Sequence, residues 1–79
     1  MKWALIYMVI NAVTGDINYV PVTWIYDSEA ECHGKLLEAH EDHPFSTFKR
    51  DSSDRLTLTN VEDGRYEVRA CTLTNLFSN

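Results

Sequence analysis

The chain has 79 residues, 44% hydrophobic and 24% charged, with seven Lys and Arg against twelve Asp and Glu for a formal net charge of −5. That length allows one domain, residues 1–79, whose core supplies roughly 3 to 5 kcal/mol, and the balance of apolar and charged residues argues against intrinsic disorder. The scattered cations make no phosphate-binding stripe, which speaks against nucleic acid as a partner, and no stretch approaches the roughly 20 apolar residues of a membrane span.

Trp3-Ala4-Leu5-Ile6-Tyr7-Met8-Val9-Ile10 is apolar at both strand parities and rich in residues that favour pleated structure, which predicts a central strand. Lys2 ahead of this run gives it some likeness to a leader peptide. Eight apolar residues that include Trp3 and Tyr7, with no small-residue cleavage signal before Thr14, read better as a strand.

Asn11 to Asp16 carries Thr14-Gly15-Asp16, a turn in which glycine supplies the positive φ that hairpin loops often need, so a second strand is expected over Ile17 to Tyr26. Pro21 donates no backbone hydrogen bond and marks that strand as an edge or as bulged. Asp27-Ser28-Glu29-Ala30-Glu31 contains the S-x-x-E spacing of a capping box and predicts a helix over residues 28–42, ended by Pro44. At about 100° per residue, Glu31, Lys35, Glu38, Glu41 and Asp42 share one side, and Cys32, His33, Leu36, Leu37, Ala39, His40 and His43 the other.

Phe45 and Phe48 are apolar anchors ahead of the polar run Lys49 to Arg55, in which Asp51-Ser52-Ser53-Asp54 reads as a surface turn. Arg55 to Asn60 alternates with period two, Glu62-Asp63-Gly64 gives a second hairpin turn, and Arg65 to Leu73 forms the last strand, with Thr74 to Asn79 expected to fray. The order β-β-α-β-β predicts an α+β fold, a four-stranded antiparallel sheet with one helix packed on one face. Phe45 to Arg50 is a candidate for a short extra strand.

A Trp-led first strand, a Thr14-Gly15 turn, the helix start YDSEAEC at Tyr26 to Cys32 and the closing strand RYEVRAC at Arg65 to Cys71 together resemble small uncharacterised α+β proteins of bacteriophage and bacterial genomes. The likeness runs from Trp3 to Cys71. It implies a phage-type accessory protein rather than a metabolic enzyme, and it implies no particular activity.

No P-loop, dinucleotide-binding glycine motif, H-E-x-x-H or C-x-x-C occurs. The adjacent Cys32 and His33 point about 100° apart on a helix, poor geometry for a thiolate and its base. No catalytic residue and no cofactor are therefore expected. The alternative is a small metal-binding or redox domain in which His40 and His43 join Cys32 and Cys71, although Cys32 lies two turns from His40, roughly 12 Å along the axis. The cysteines are expected as free thiols, the alternative being one disulfide linking the helix to the last strand, which would need a bulge before Cys71. If Tyr66, Val68 and Ala70 face the helix, Cys71 faces away, and the lack of a secretion signal points to a reducing cytoplasm, that of the host for a phage protein. Glu31, Glu38, Glu41 and Asp42 form a negative ridge, read either as a solvated face or as an imitation of nucleic-acid phosphates offered to a basic protein.

One helix of about four turns covers one side of such a sheet. Either Trp3, Leu5, Tyr7 and Val9 or Ala4, Ile6, Met8 and Ile10 is then left on the open face, and an apolar patch of that kind marks a contact surface. The first set, with Tyr19, is assigned as the partner-binding parity, for a homodimer or another bound protein. Phe45, Phe48 or Phe77 folded across the sheet is the competing way to cover it. The expected function is a non-catalytic protein-interaction module, of the phage accessory type, that binds a host or phage protein.

Overall fold

The computed structural model describes residues 2–74, with residues 21–23 as backbone only. Five strands and one helix follow in the order β1 (Lys2–Asn11), β2 (Ile17–Tyr26), α1 (Glu29–Asp42), β3 (Thr47–Arg50), β4 (Leu56–Glu62) and β5 (Arg65–Thr74). The class is the expected one, α+β with a helix on an antiparallel sheet. The expected four strands are five, because Thr47–Arg50 pairs along β4. This fifth strand falls within Phe45 to Arg50, the segment read from the sequence as a candidate short extra strand. The tail beyond Thr74, expected to fray, and Phe77 within it lie outside the described residues.

Strand order is β2-β1-β5-β4-β3. The first and last strands pair residue for residue, from Lys2 opposite Thr74 to Asn11 opposite Arg65, which places β5 at the centre and leaves β2 and β3 as the edges. The connection through α1 must therefore run from one edge of the sheet to the other, and it does so across one face. β2 is the edge strand that Pro21 foretells, and it is also bulged: Trp24 stands opposite Leu5 and Val20 opposite Tyr7, so four steps of β2 match two of β1.

Short polar motifs close the turns. Asn11 Oδ1 accepts from the backbone N–H of Val13 and Thr14 at 2.8 and 3.0 Å, and Gly15 takes φ +78°. At the β4–β5 hairpin, Asp63 and Gly64 adopt φ of 49° and 74°, the positive pair that a tight two-residue hairpin needs. The backbone N–H of Ala12 donates to the Gly64 carbonyl at 2.8 Å and ties the two hairpin tips together.

Ser28 caps α1, its Oγ accepting from the Glu31 N–H at 3.2 Å, while the Glu31 carboxylate reaches back to the Asp27 N–H at 3.4 Å. The reciprocal half of the capping box thus lands one residue early. At the other end the His43 N–H bonds the Ala39 carbonyl at 3.0 Å, and buried Ser46 donates its hydroxyl to the His43 carbonyl at 2.6 Å. Ser46 Oγ also meets His40 Nδ1 at 2.8 Å, and the His40 ring packs against Phe48.

The core is small. Cys32 and Leu36, one turn apart on α1, meet Leu58 of β4 and Cys71 of β5, and Trp3, Leu5, Tyr26 and Phe48 pack around them. Cys32 and Cys71 are joined by a disulfide with Cα atoms 6.1 Å apart. This overturns the expected free thiols. The parity of β5 is the opposite of the expected one: Cys71 stands beside Leu5 under the helix, while Tyr66, Val68 and Ala70 face away. The apolar character of that second set had marked it as core, yet both faces of this sheet carry apolar residues, and the helix sits over the other one.

Candidate interaction face

Under α1, the odd-numbered positions of β1 and β5 and the even-numbered positions of β2 and β4 form the closed side of the sheet. Toward the hairpin tips this side becomes polar. Tyr7 donates its hydroxyl to Glu67 Oε2, Asn60 Nδ2 donates to Glu67 Oε1 at 3.2 Å, and the Arg69 guanidinium lies 4.5 Å from the centre of the Tyr7 ring. The Tyr7 hydrogen bond holds the Glu67 carboxyl below its ordinary range, against the opposing effect of burial and with help from Asn60 and the charge of Arg69. Burial, followed by the bond to Glu67, pushes the Tyr7 phenol up. Glu67 and its two donors satisfy one another, which fits a structural network that pins β1, β4 and β5. Arg69 Nη1 is buried without a hydrogen-bond partner among the described residues.

Among the described residues, no helix lies on the other side of the sheet. Cross-strand pairing builds two rows of side chains there. The first runs Ile17, Ile10, Tyr66, Val61 across β2, β1, β5 and β4, and the second runs Tyr19, Met8, Val68, Thr59 across the same strands. Ile17, Tyr19, Val61 and Tyr66 are 50%, 71%, 63% and 42% exposed, and Val13 in the adjoining turn is 89% exposed. Ile6, Met8, Ile10 and Val68 on the same face are half-buried. None of the twelve acidic residues occupies a strand position on this face. Its described cations stand at the margins, Lys2 paired with Asp27 and Lys49 on the short edge strand β3. Grouped exposed apolar side chains of this kind are uncommon on monomeric proteins and mark contact surfaces.

The residues singled out from sequence divide between the two sides. Trp3 and Leu5 pack on the core, Tyr7 enters the Glu67 network, and Val9 pairs with Glu67 on the same closed side. Only Tyr19 of that set reaches the open face, because the turn pairs Ile10 with Ile17 and so places odd positions of β2 beside even positions of β1. The open parity is Ala4, Ile6, Met8 and Ile10. Val61 and Tyr66 complete the first row and are outside the set expected from the sequence. For Tyr66 the sequence signal is the period-two alternation of Tyr66, Val68 and Ala70, which lies on the face opposite the expected one.

The acidic ridge is where the helical spacing puts it, with Glu31, Glu38, Glu41 and Asp42 exposed, and Lys35 pairs with Glu38 at 3.1 Å. The metal set of Cys32, His40, His43 and Cys71 is not brought together. Both sulfurs are consumed in the disulfide, His40 is engaged by Ser46, and His43 lies at the C-cap of α1. A shallow cleft of about 250 Å³ opens beside His43, Phe45, Asn60 and Val61. Phe45, 96% exposed, projects next to it rather than across the sheet, and Phe48 packs on the helix side, so neither covers the open face.

Compared with known proteins, the chain matches no family model, no curated protein and no solved structure.

Proposed function

We propose that this chain is a non-catalytic protein-interaction module, an accessory protein of the phage type, that binds through the open face of its sheet. The observation that carries this reading is the pair of largely apolar rows, Ile17-Ile10-Tyr66-Val61 and Tyr19-Met8-Val68-Thr59, which span four strands with Ile17, Tyr19, Tyr66 and Val61 exposed and no acidic residue among them. A face of this kind gains free energy when another protein surface removes it from water, at roughly 25 cal/mol per Å² of apolar area. Tyr7, Asn60 and Glu67 on the closed side are spent on one another, which favours binding over catalysis.

The disulfide bears on where such a module folds. Glutathione and thioredoxin keep cytosolic thiols reduced, so a buried bridge in a core this small favours folding in an oxidising compartment over the host cytoplasm. The reading is tested by placing charge on the rows. Tyr19→Lys with Val61→Lys alters two well-exposed positions and should abolish capture of the partner, while Glu38→Lys on the helix ridge should leave it intact. Equal capture by all three proteins would count against the open face as the binding surface.

A further inference from the structure

We infer that the occupant of the open face is a second copy of this chain, packed sheet against sheet about a two-fold axis; the inference rests on the reading of that face as a binding surface. Four observations select a second copy.

The first is charge. A chain of net charge −5 repels its own copies wherever acidic residues would meet, and this face is the side of the sheet from which Asp and Glu are absent at every strand position. A basic partner would be drawn instead to Glu31, Glu38, Glu41 and Asp42 on the opposite side of the molecule. An apolar face without carboxylates, its cations confined to the margins, is best matched by another of the same kind, and the chain carries one.

The second is the state of the edges. Association through strand pairing needs a long, regular edge, whereas β2 is bulged and carries Pro21, and β3 has four residues that include Lys49 and Arg50. Both edges are thus protected in the way that proteins avoid edge-to-edge growth. The face remains available.

The third is closure. α1 covers the other side, so stacking that begins on the open face stops at two copies and cannot continue into a fibre. Two sheets meeting this way pack about 10 Å apart with their strands within about 30° of parallel.

The fourth is area. Three strands of ten residues and β4 of seven, about 4.8 Å apart at about 3.3 Å per residue, make a face of roughly 600 Å² per copy, so a dimer buries on the order of 1,200 Å² at most, the lower bound for a stable pair. The dimer is accordingly expected to be reversible and concentration-dependent.

Sedimentation equilibrium of the full oxidised chain over a wide concentration series reads this directly. The weight-average mass should rise from 9.1 kDa toward twice that value, and Tyr19→Lys with Val61→Lys should hold it at the single-chain mass while the circular dichroism of the fold persists. Methyl NMR of the unsubstituted chain gives a second readout that no folding defect can obscure: Ile6, Met8 and Ile10 should shift with concentration and Leu36 and Leu58 should not. A chain that stays at 9.1 kDa to millimolar concentration, or a dimer untouched by the two substitutions, overturns the dimer. In the strictly monomeric case, a host protein captured by the unsubstituted chain and lost from the double variant would leave the interaction reading standing, while no capture by either would remove both.

Discussion

Leu5 of β1 stands directly opposite Cys71 of β5, and that single register decides which side of the sheet is closed. With Cys71 under the helix and bonded to Cys32, the alternation of β1 sends Trp3, Leu5, Tyr7 and Val9 inward and leaves Ala4, Ile6, Met8 and Ile10 outward. The disulfide and the candidate interface are therefore two results of one strand parity.

The bridge should be decisive for stability. It closes a loop with a sequence separation of 39, worth about 4 kcal/mol in the chain-entropy model, against a core that supplies roughly 3 to 5 kcal/mol. Thiol titration of the chain unfolded without reductant should find no reactive thiol. Adding reductant, or replacing both cysteines by serine, should leave the chain largely unfolded at room temperature. Two titratable thiols in chain purified without reductant, or an unchanged melting midpoint after reduction, would show that the bridge contributes nothing.

Ser28→Ala removes the cap on the first turn of α1 and should cost about 1 kcal/mol. For a chain of this size that corresponds to a midpoint lower by about 4 to 8 °C. Thermal melts of the oxidised protein check it, and an unchanged midpoint would mean that the Ser28–Glu31 bond carries no net stability.

The Tyr7–Glu67 bond predicts a bounded pH window. Glu67 is held low, so its contribution is present above the unfolded value near pH 4.3 and is lost as the pH falls through the folded value. Tyr7 is pushed up, so its contribution is present below about pH 10 and is lost as the pH rises through the raised value. Tyr7→Phe should lower stability by about 1 to 2 kcal/mol on the plateau between these limits, and the gap from the unsubstituted chain should narrow at both ends. Denaturant melts of the two proteins across pH would contradict this if the gap were the same at pH 3 as at pH 7.

Much of the fold is legible in the sequence, for local reasons. The S-x-x-E cap at Ser28, Pro44 beyond the helix, the Asp63-Gly64 turn and the apolar run of β1 each act within a few residues. What is not legible depends on choices between near-equal alternatives. Residues 66, 68 and 70 and residues 67, 69 and 71 both offer plausible inward faces, and the decision rests on Glu67 finding Tyr7 and Asn60 and on Cys71 finding Cys32, contacts far apart in the chain. The existence of an open apolar face could be argued by counting faces. Its membership could not, because that required the pairing of the first strand with the last.

Intermolecular nuclear Overhauser effects in a mixed sample of isotope-labelled and unlabelled chains test the central claim most directly. Sheet-to-sheet association predicts contacts between copies among the methyl groups of Ile6, Met8, Ile10 and Ile17, at concentrations where the sedimenting mass exceeds one chain. Intermolecular contacts confined to Leu37 on the helix, or none at all from the open face in an associated sample, would contradict it.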